Sequence, residues 1–527
     1  MMSLTQNLQM TLAELLHNIV NPDECSKVSV SGLTMDSRLV CPGDCFIAIK
    51  GLVTDGAKYI SEAIDQGAVA VLVDAEIDLG CEPTAAGIPL LAIQNLSVLV
   101  SEIAGRFYGN PSQRMNLVAV TGTNGKTTCC RLYAQLLAQI GRSEKRATSA
   151  FIGTTGYAIA KSNNRQSEDE LFESEQTKET GLTTPDAVSM QRILAELLDD
   201  GAQQVALEAS SHSLVQYRIA GLNIDTAVFT NLSRDHLDYH KDLDSYAAAK
   251  ASLFAMPSVK RAVINRDDPV GRNIVASLQP SVELLTISLE NTAADIYCSG
   301  MTLNTQGITA SIVTPWGEGI LNSSLLGQFN LTNLLTVIAV AGMQAIALQD
   351  ILQAIPKLHS VPGRMEMIGG ELKPVVIVDY AHTPDALEKA LQALRGHCSG
   401  RLWVIFGCGG DRDSGKRAAM GEIAQRYADQ VVVTSDNPRT EPPQQIVDHI
   451  LQGIQGEVIV ELDRRQAIAS SIQSAAEEDI VLIAGKGHEN YQVIGVDSFP
   501  FSDQTEARMA LQKVFNSVRG ESGEGAK

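Results

Sequence analysis

Basic side chains are scarce in this chain: 41 Lys and Arg stand against 61 Asp and Glu, for a formal net charge of −20. So anionic a surface repels phosphate backbones and acidic headgroups, which excludes nucleic acid and an anionic membrane as the main partner. Anionic substrates, if bound, must be met by local cationic pockets set against that global field. No apolar run reaches the roughly 18 residues that a membrane-spanning helix requires. Residues Met1 to Met10 show no basic segment followed by an apolar one, so no membrane insertion and a cytoplasmic location are expected. The nine cysteines include no Cys-x-x-Cys pair and no metal-ligand spacing, and Cys129 and Cys130 are adjacent, so reduced packing thiols are expected. Aromatic residues make up only 5%, yet a hydrophobic content of 44% is enough for well-buried cores.

The most informative stretch present is Thr121-Gly122-Thr123-Asn124-Gly125-Lys126-Thr127-Thr128, which follows the apolar run Asn116–Val120. A buried strand ending in a glycine-spaced turn, then a lysine, two hydroxyls and a helical pattern, wraps backbone N–H groups around a phosphate. Lys126 is placed for the terminal phosphates and the Thr127 hydroxyl for Mg²⁺. Val120 occupies the place of the first glycine of the common phosphate-loop motif, so the spacing is a variant one.

At 527 residues the chain exceeds a single core, and about three domains are expected. Short apolar strands alternate with helical stretches throughout, which predicts an α/β fold with parallel sheets and function at the carboxyl ends of the strands. Residues 1–112 read as a small α/β domain, with strands at Cys45–Ile49 and Ala68–Val73 and a linker at Tyr108–Ser112. Residues 113–361 read as a central domain of the phosphate-loop type with a mostly parallel sheet, and residues 362–527 as a Rossmann-like, doubly wound C-terminal domain. The polar segment Lys161–Gly181 is expected to be a flexible insertion, and Gly520–Gly525 a solvated tail.

Glu208 closes the strand Val205-Ala206-Leu207, where a carboxylate beside a phosphate loop is placed to bind Mg²⁺; a capping or surface acid is the plain alternative. His236 and His240 are two histidines in five residues, but zinc sites need three or four ligands, and composition leaves this pair undecided.

Taken together, Thr121–Thr128, Glu208–His212, Asn231–His240 with Lys250, Gly327–Asn333, Pro362–Glu366 and Asp379–Pro384 resemble the Mur ligases. The likeness runs from Thr34-Met35-Asp36-Ser37-Arg38 to Gly485–Tyr491, nearly the whole chain, and is closest to the diaminopimelate-adding branch. It implies an ATP-dependent ligase of peptidoglycan precursor synthesis, acting as a monomer on UDP-N-acetylmuramoyl-L-alanyl-D-glutamate, meso-diaminopimelate and ATP. An acyl phosphate on the D-glutamyl γ-carboxyl would be attacked by the incoming amine. The resemblance implies that ATP meets Gly122, Thr123, Asn124, Gly125, Lys126, Thr127 and Thr128, with Asn330, Arg364 and Asp379 at adenine and ribose. It implies catalytic roles for Lys126, Lys250 and His236, and Mg²⁺ ligands at Thr127, Glu208, His236 and Lys250. Lys250 would act as N6-carboxylysine, a carbamate formed from CO₂; without the resemblance it reads as a solvated lysine on an alanine-rich helix.

The nucleotide-sugar dipeptide would contact Met35, Ser37 and the loop Leu52-Val53-Thr54, then Thr183, Thr184, Ser210, Gln216 and Arg218. Leu182 stands where some relatives carry asparagine. Diaminopimelate would be held by Arg412, Asp436, Asn437, Pro438, Arg439, Gly485 and Glu489. Arg439 would grip the distal carboxylate with its planar fork, Arg412 would hold the substrate from the other side, and Glu489 would face the distal ammonium. A lysine-adding Mur ligase, folylpolyglutamate synthase and a nucleotide switch are the alternatives. The first two differ at the Asp436–Arg439 loop, and the switch needs no second substrate site.

Overall fold

The computed structural model describes residues 8–20, 27–51, 54–75, 88–144, 148–160, 177–236, 239–369 and 374–523. Most of the 161–181 segment, together with Leu52 and Val53, lies outside them. The chain divides into two compact units, Met1–Tyr297 with Leu335–Ala347, and Cys298–Leu334 with Leu348–Lys527.

The first unit contains the short antiparallel pair Met10–Thr11 with Ser29–Val30 and two larger sheets. One has four parallel strands in chain order, Gly32–Thr34, Asp44–Ala48, Ala70–Asp74 and Leu90–Ile93. Cys45, Ile47 and Leu72 bury one face of it with the helix Leu96–Phe107, while Phe46, Ala48 and Val71 bury the other with Ile60 and Ala63. Tyr108–Ser112, expected as a linker, forms a packed turn. Asn110 takes a left-handed backbone, its N–H donates to the Gly105 carbonyl at 2.6 Å, and Pro111 and Ser112 are buried.

The larger sheet of this unit runs Glu283–Ser288, Arg261–Asn265, Ile224–Phe229, Asn116–Thr121, Ala202–Glu208, Thr148–Gly153 and Gly156–Ala160. All neighbours are parallel except the last pair. Asn116–Thr121 is the pivot. The chain leaves it to one side, returns through Ala202–Glu208 beside it, then crosses to its other flank with Ile224–Phe229. Reversal of strand order opens a crevice beyond the carboxyl ends, where ligands bind in such sheets. Leu117, Val118, Ala119 and Val120 are all buried, since both faces are covered, and a strand buried on two faces reads as an unbroken apolar run. The described cysteines form no disulfide, and burial pushes the Cys129 thiol up to about 12, as suits a packing residue.

The second unit contains the antiparallel hairpin Gly307–Thr314 with Gly317–Ser323 and a six-stranded sheet. That sheet runs Glu366–Ile368, Val375–Asp379, Ile480–Ala484, Leu402–Phe406, Gln430–Val433 and Ile459–Val460, parallel except for the first strand. Alternate residues feed two cores. Ile377, Val404 and Leu482 face the helices Pro384–Arg395 and Lys416–Tyr427, while Val378, Ile405 and Ile483 face Arg464–Ser474 and the C-terminal helix. This is the doubly wound arrangement. The C-terminal helix spans Asp503–Gly523, which corrects the expected tail: only residues 524–527 lie beyond it, outside the described set. Leu511 and Ala507 anchor that helix in the core. Among the described residues, no helix is long and apolar enough to cross a membrane.

Arg464 and Asp503, both fully buried, make a bidentate pair at 2.7 Å through Nε and Nη2, and Arg464 also donates to the Ala484 carbonyl at 3.0 Å. Asp503→Ala strands a buried guanidinium and is expected to cost about 3–5 kcal/mol. Urea unfolding checks this, with the Arg464→Met, Asp503→Leu double variant close to wild type.

Candidate active site

The phosphate loop begins where the pivot strand ends. Gly122 has φ +147°, and a Cβ there would collide with the Thr230 hydroxyl, so only glycine fits. The next strand end pins the loop. Thr123 N–H donates to Asn231 O at 2.8 Å, Asn124 N–H to Asn231 Oδ1 at 3.0 Å, and Thr230 Oγ1 to Asn124 O at 2.6 Å. Gly122→Ala is expected to weaken nucleotide binding by about tenfold or more, measured by titration with a fluorescent ADP.

Lys126 opens the helix Lys126–Glu144 and folds its Nζ over the loop, 2.9 Å from Gly122 O and 2.8 Å from Thr123 O. Thr127 Oγ1 donates to Glu208 Oε1 at 2.8 Å, so these two predicted metal ligands meet. Thr154 steadies Glu208 through its N–H at 2.7 Å and its hydroxyl at 3.2 Å. Burial raises the Glu208 carboxyl above its ordinary value, with Lys126 and the Thr154 and Thr127 bonds pulling it back. Hydroxyl and carboxylate oxygens are hard donors that suit Mg²⁺. Among the described residues there is no group of three or more His, Cys, Asp or Glu able to hold a metal. Mg²⁺ does not require one, since it binds through one or two side chains plus phosphate and water.

Lys250, on the helix Leu243–Ala251, is buried and points Nζ at the same Gly122 carbonyl, 2.7 Å away, and over the Tyr246 ring at 4.3 Å. Burial first, then the Lys126 charge, bring its amine down to about 6, against a smaller opposing pull from Asp235. A solvated surface lysine is thereby excluded. Tyr246, which the sequence did not single out, lies 3.3 Å from Thr123 Oγ1 through its hydroxyl and links the Lys250 helix to the phosphate loop. His236 adopts φ +52°, with its ring 5.1 Å from that of His212 and its Nε2 3.5 Å from Asp235. His240 is buried against Ser211 Oγ at 2.9 Å, which separates its role from that of His236.

The expected dipeptide contacts Thr183, Thr184, Ser210, Gln216 and Arg218 form one network. Thr184 Oγ1 lies 3.1 Å from Ser210 Oγ, Arg218 Nη1 donates to Thr184 O at 2.7 Å, and Arg218 Nη2 to Gln216 Oε1 at 2.6 Å. Thr183 joins through Thr154 Oγ1 at 3.1 Å, and Leu182 is half-exposed beside them. Beside the four-stranded sheet, Ser37 Oγ donates to Glu62 Oε2 at 2.8 Å and Thr54 Oγ1 to Tyr59 OH at 3.2 Å. Met35 lines a cavity of about 420 Å³ with Asp36, Asp186 and Arg192. A larger cavity of about 610 Å³, lined by Tyr108 and Glu196 among others, contains none of the expected contacts.

In the second unit, Asn330 is buried with its amide donating to Leu326 O at 2.7 Å. Arg364 stacks over Tyr380 at 4.9 Å, and Asp379 accepts from Met365 N–H at 2.7 Å and Ala381 N–H at 2.9 Å. The expected amino-acid contacts gather at the carboxyl ends of three parallel strands. A Cβ on Gly409 would lie 3.0 Å from Arg439 Nη1 and 3.6 Å from Arg412 Cγ, so the two arginines flank that glycine. A Cβ on Gly485 would lie 2.6 Å from Asp436 Oδ2. Asn437 Nδ2 donates to Glu489 Oε2 at 2.9 Å, and Pro438 precedes Arg439, whose φ is +51°. Sequence reasoning missed two supports. Arg417 is a buried guanidinium in bidentate contact with Glu441 at 2.6 and 2.8 Å, and its hydrogen bonds hold the Glu441 carboxyl down at about 2. Lys486, also buried, pairs with Glu489 at 3.1 Å.

Three family models match in succession: "Mur ligase family, catalytic domain" over residues 29–108, "Mur ligase middle domain" over 120–341, and "Mur ligase, glutamate ligase domain" over 363–487. The chain belongs to the Mur ligase family. A UDP-N-acetylmuramoyl-L-alanyl-D-glutamate–2,6-diaminopimelate ligase of Pseudomonas aeruginosa is 48% identical over 481 residues, 91% of this chain and 94% of that protein. The ligase of the same name from Coxiella burnetii is 44% identical over 490 residues, covering 92% and 96%. A solved structure of another such ligase matches with a TM-score of 0.71 at 36% identity, over 96% of this chain and 99% of its own. For this Mur ligase, the three successive matches accord with an α/β fold of N-terminal, central and C-terminal parts.

Proposed function

We propose that this Mur ligase uses ATP to join meso-2,6-diaminopimelate to the D-glutamyl γ-carboxyl of UDP-N-acetylmuramoyl-L-alanyl-D-glutamate, a step of peptidoglycan precursor synthesis. The observation that carries this reading is the meeting of Arg439, Arg412 and Glu489 at one set of strand ends, a site of both signs suited to an amino acid with a second carboxylate and a second ammonium. The three parts correspond in our reading to residues 1–112, 113–361 and 362–527.

In the reaction the γ-carboxylate attacks the terminal phosphorus of ATP, ADP departs, and an acyl phosphate forms. The neutral amine adds to its carbonyl carbon and gives up one proton, and the tetrahedral intermediate expels phosphate to leave the amide. Anion meets anion in the first step, so charge neutralisation and alignment dominate catalysis. Lys126 and the loop N–H groups take the phosphate charge. Thr127 and Glu208 would hold one Mg²⁺, and His236 with the carbamate of Lys250 a second, and these ions would supply further charge stabilisation. Thr183, Thr184, Ser210, Gln216 and Arg218 orient the dipeptide, with Met35, Ser37 and Thr54 at the uridine end. Asn330, Arg364 and Asp379 serve adenine and ribose. Arg439 selects the distal carboxylate by a bidentate fork, which lysine, with its bare ammonium, does not engage.

Phosphate release measured with ATP, Mg²⁺, the nucleotide dipeptide and a panel of amino acids tests this reading. Release is expected with meso-diaminopimelate, and equal release with L-lysine would overturn it.

A further inference from the structure

The amino-acid site rests on a lysine that the reaction above does not employ. Lys486 has no exposed surface; its Nζ donates to Asn437 Oδ1 at 3.0 Å and to Glu489 Oε2 at 3.1 Å, and lies 5.6 Å from the Tyr491 ring centre. A carboxamide has two orientations, and here the donors choose between them. Lys486 and the Val493 N–H, 2.9 Å away, both require an acceptor, so Asn437 turns Oδ1 to them. Its Nδ2 must then face Glu489, which it meets at 2.9 Å. Both side-chain hydrogen bonds on Glu489 found among the described residues fall on Oε2, so Oε1 is the oxygen they leave available to a ligand. The buried ammonium also cancels the Glu489 charge at contact distance, so an ammonium approaching from the site meets a dipole, not a bare anion.

We propose that Lys486 is a positioning and specificity-determining residue for the incoming amino acid: by pinning Asn437 and neutralising Glu489, it makes the distal carboxylate read by Arg439 the feature that decides acceptance. The inference rests on the assignment of this site to diaminopimelate. With Lys486 gone, Glu489 becomes an uncompensated anion that rewards any terminal ammonium, so a lysine-like amine gains where diaminopimelate loses its alignment.

The test is steady-state kinetics of Lys486→Met with diaminopimelate and with L-lysine as acceptors. The KM for diaminopimelate is expected to rise about tenfold, and the diaminopimelate-to-lysine ratio of kcat/KM to fall about tenfold or more, with the KM for ATP unchanged. Adding Glu489→Gln to Lys486→Met removes the stranded charge and should return the ratio toward that of Glu489→Gln alone. A merely structural lysine would raise all three KM values together and leave the ratio fixed, and that result overturns the proposal. Should Lys486→Met fail to fold, Lys486→Arg carries the test: with the charge kept, the ratio is expected to stay within about threefold, and its collapse sinks the idea. A wild-type protein that fails to use diaminopimelate defeats the parent assignment instead, and does so before any variant is made.

Discussion

Lys250→Ala is expected to leave about one-thousandth of wild-type turnover, a loss of ~4 kcal/mol of transition-state stabilisation. Formate or acetate should restore a measurable part of it. The expectation starts from two ammonium groups aimed at one carbonyl, Lys126 and Lys250 at 2.9 and 2.7 Å from Gly122 O. One of them must yield its proton, and burial selects Lys250, whose amine falls to about 6. At pH 7 the neutral amine is then the favoured form. A neutral amine adds to CO₂, forming an N–C bond and releasing one proton, and the product is an anion beside Lys126 instead of a second cation. Repulsion would become attraction, and a carboxylate would stand where the proposed second Mg²⁺ needs a ligand. The sign of the pH effect follows: as pH falls through about 6 the ammonium form takes over, carbamate is lost, and turnover drops. Bicarbonate should offset that drop, and CO₂-free buffer should deepen it. Thermal unfolding of the variant distinguishes a missing ligand from a disturbed core. A Lys250→Ala enzyme with full turnover, or one indifferent to added carboxylate, would remove the carbamate from the mechanism.

Features legible in the sequence were those whose physics is local. A strand, a glycine-spaced turn and a helix follow one another within the stretch Asn116–Glu144, and the loop they predict is the loop observed. Period and composition likewise located the buried strands, because parallel strands covered on both faces read as apolar runs in any context. Supports that depend on topology escaped. Lys486 and Asn437 are 49 positions apart, and Arg417 and Glu441 are 24 apart; only the order of the C-terminal sheet brings each pair together. Backbone strain was equally hidden. His236 and Arg439 adopt φ of +52° and +51°, a region that such side chains seldom enter, and nothing in their neighbours' composition announces it. The two histidines that composition left undecided differ in burial: His240 is buried against Ser211, while His236 stays exposed with its ring beside His212. Leu52 and Val53 lie outside the described residues, so the proposed uridine end rests on Met35, Ser37 and Thr54.

Arg439→Ala should raise the KM for diaminopimelate about a hundredfold, equivalent to ~3 kcal/mol, while the KM for ATP moves by less than about threefold. The selectivity of the loss comes from how the side chain is held. Arg439 N–H donates to Val493 O at 3.1 Å and Gly495 N–H to Arg439 O at 2.7 Å, so the strand hairpin Tyr491–Pro500 clamps the strained backbone. Nη1 donates to Gly410 O at 2.9 Å, which fixes the guanidinium plane beside Arg412 before any ligand arrives. A preorganised fork loses little freedom on binding, so its two parallel N–H bonds to a carboxylate are realised almost in full. Lysine at the same position brings charge without the fork, and Arg439→Lys is therefore expected to recover less than a tenth of the lost affinity. L-lysine, which has no distal carboxylate to lose, should be used as poorly by the variant as by the wild type. Equal damage to ATP and diaminopimelate would mean that residue 439 supports the fold of its unit and not the choice of substrate.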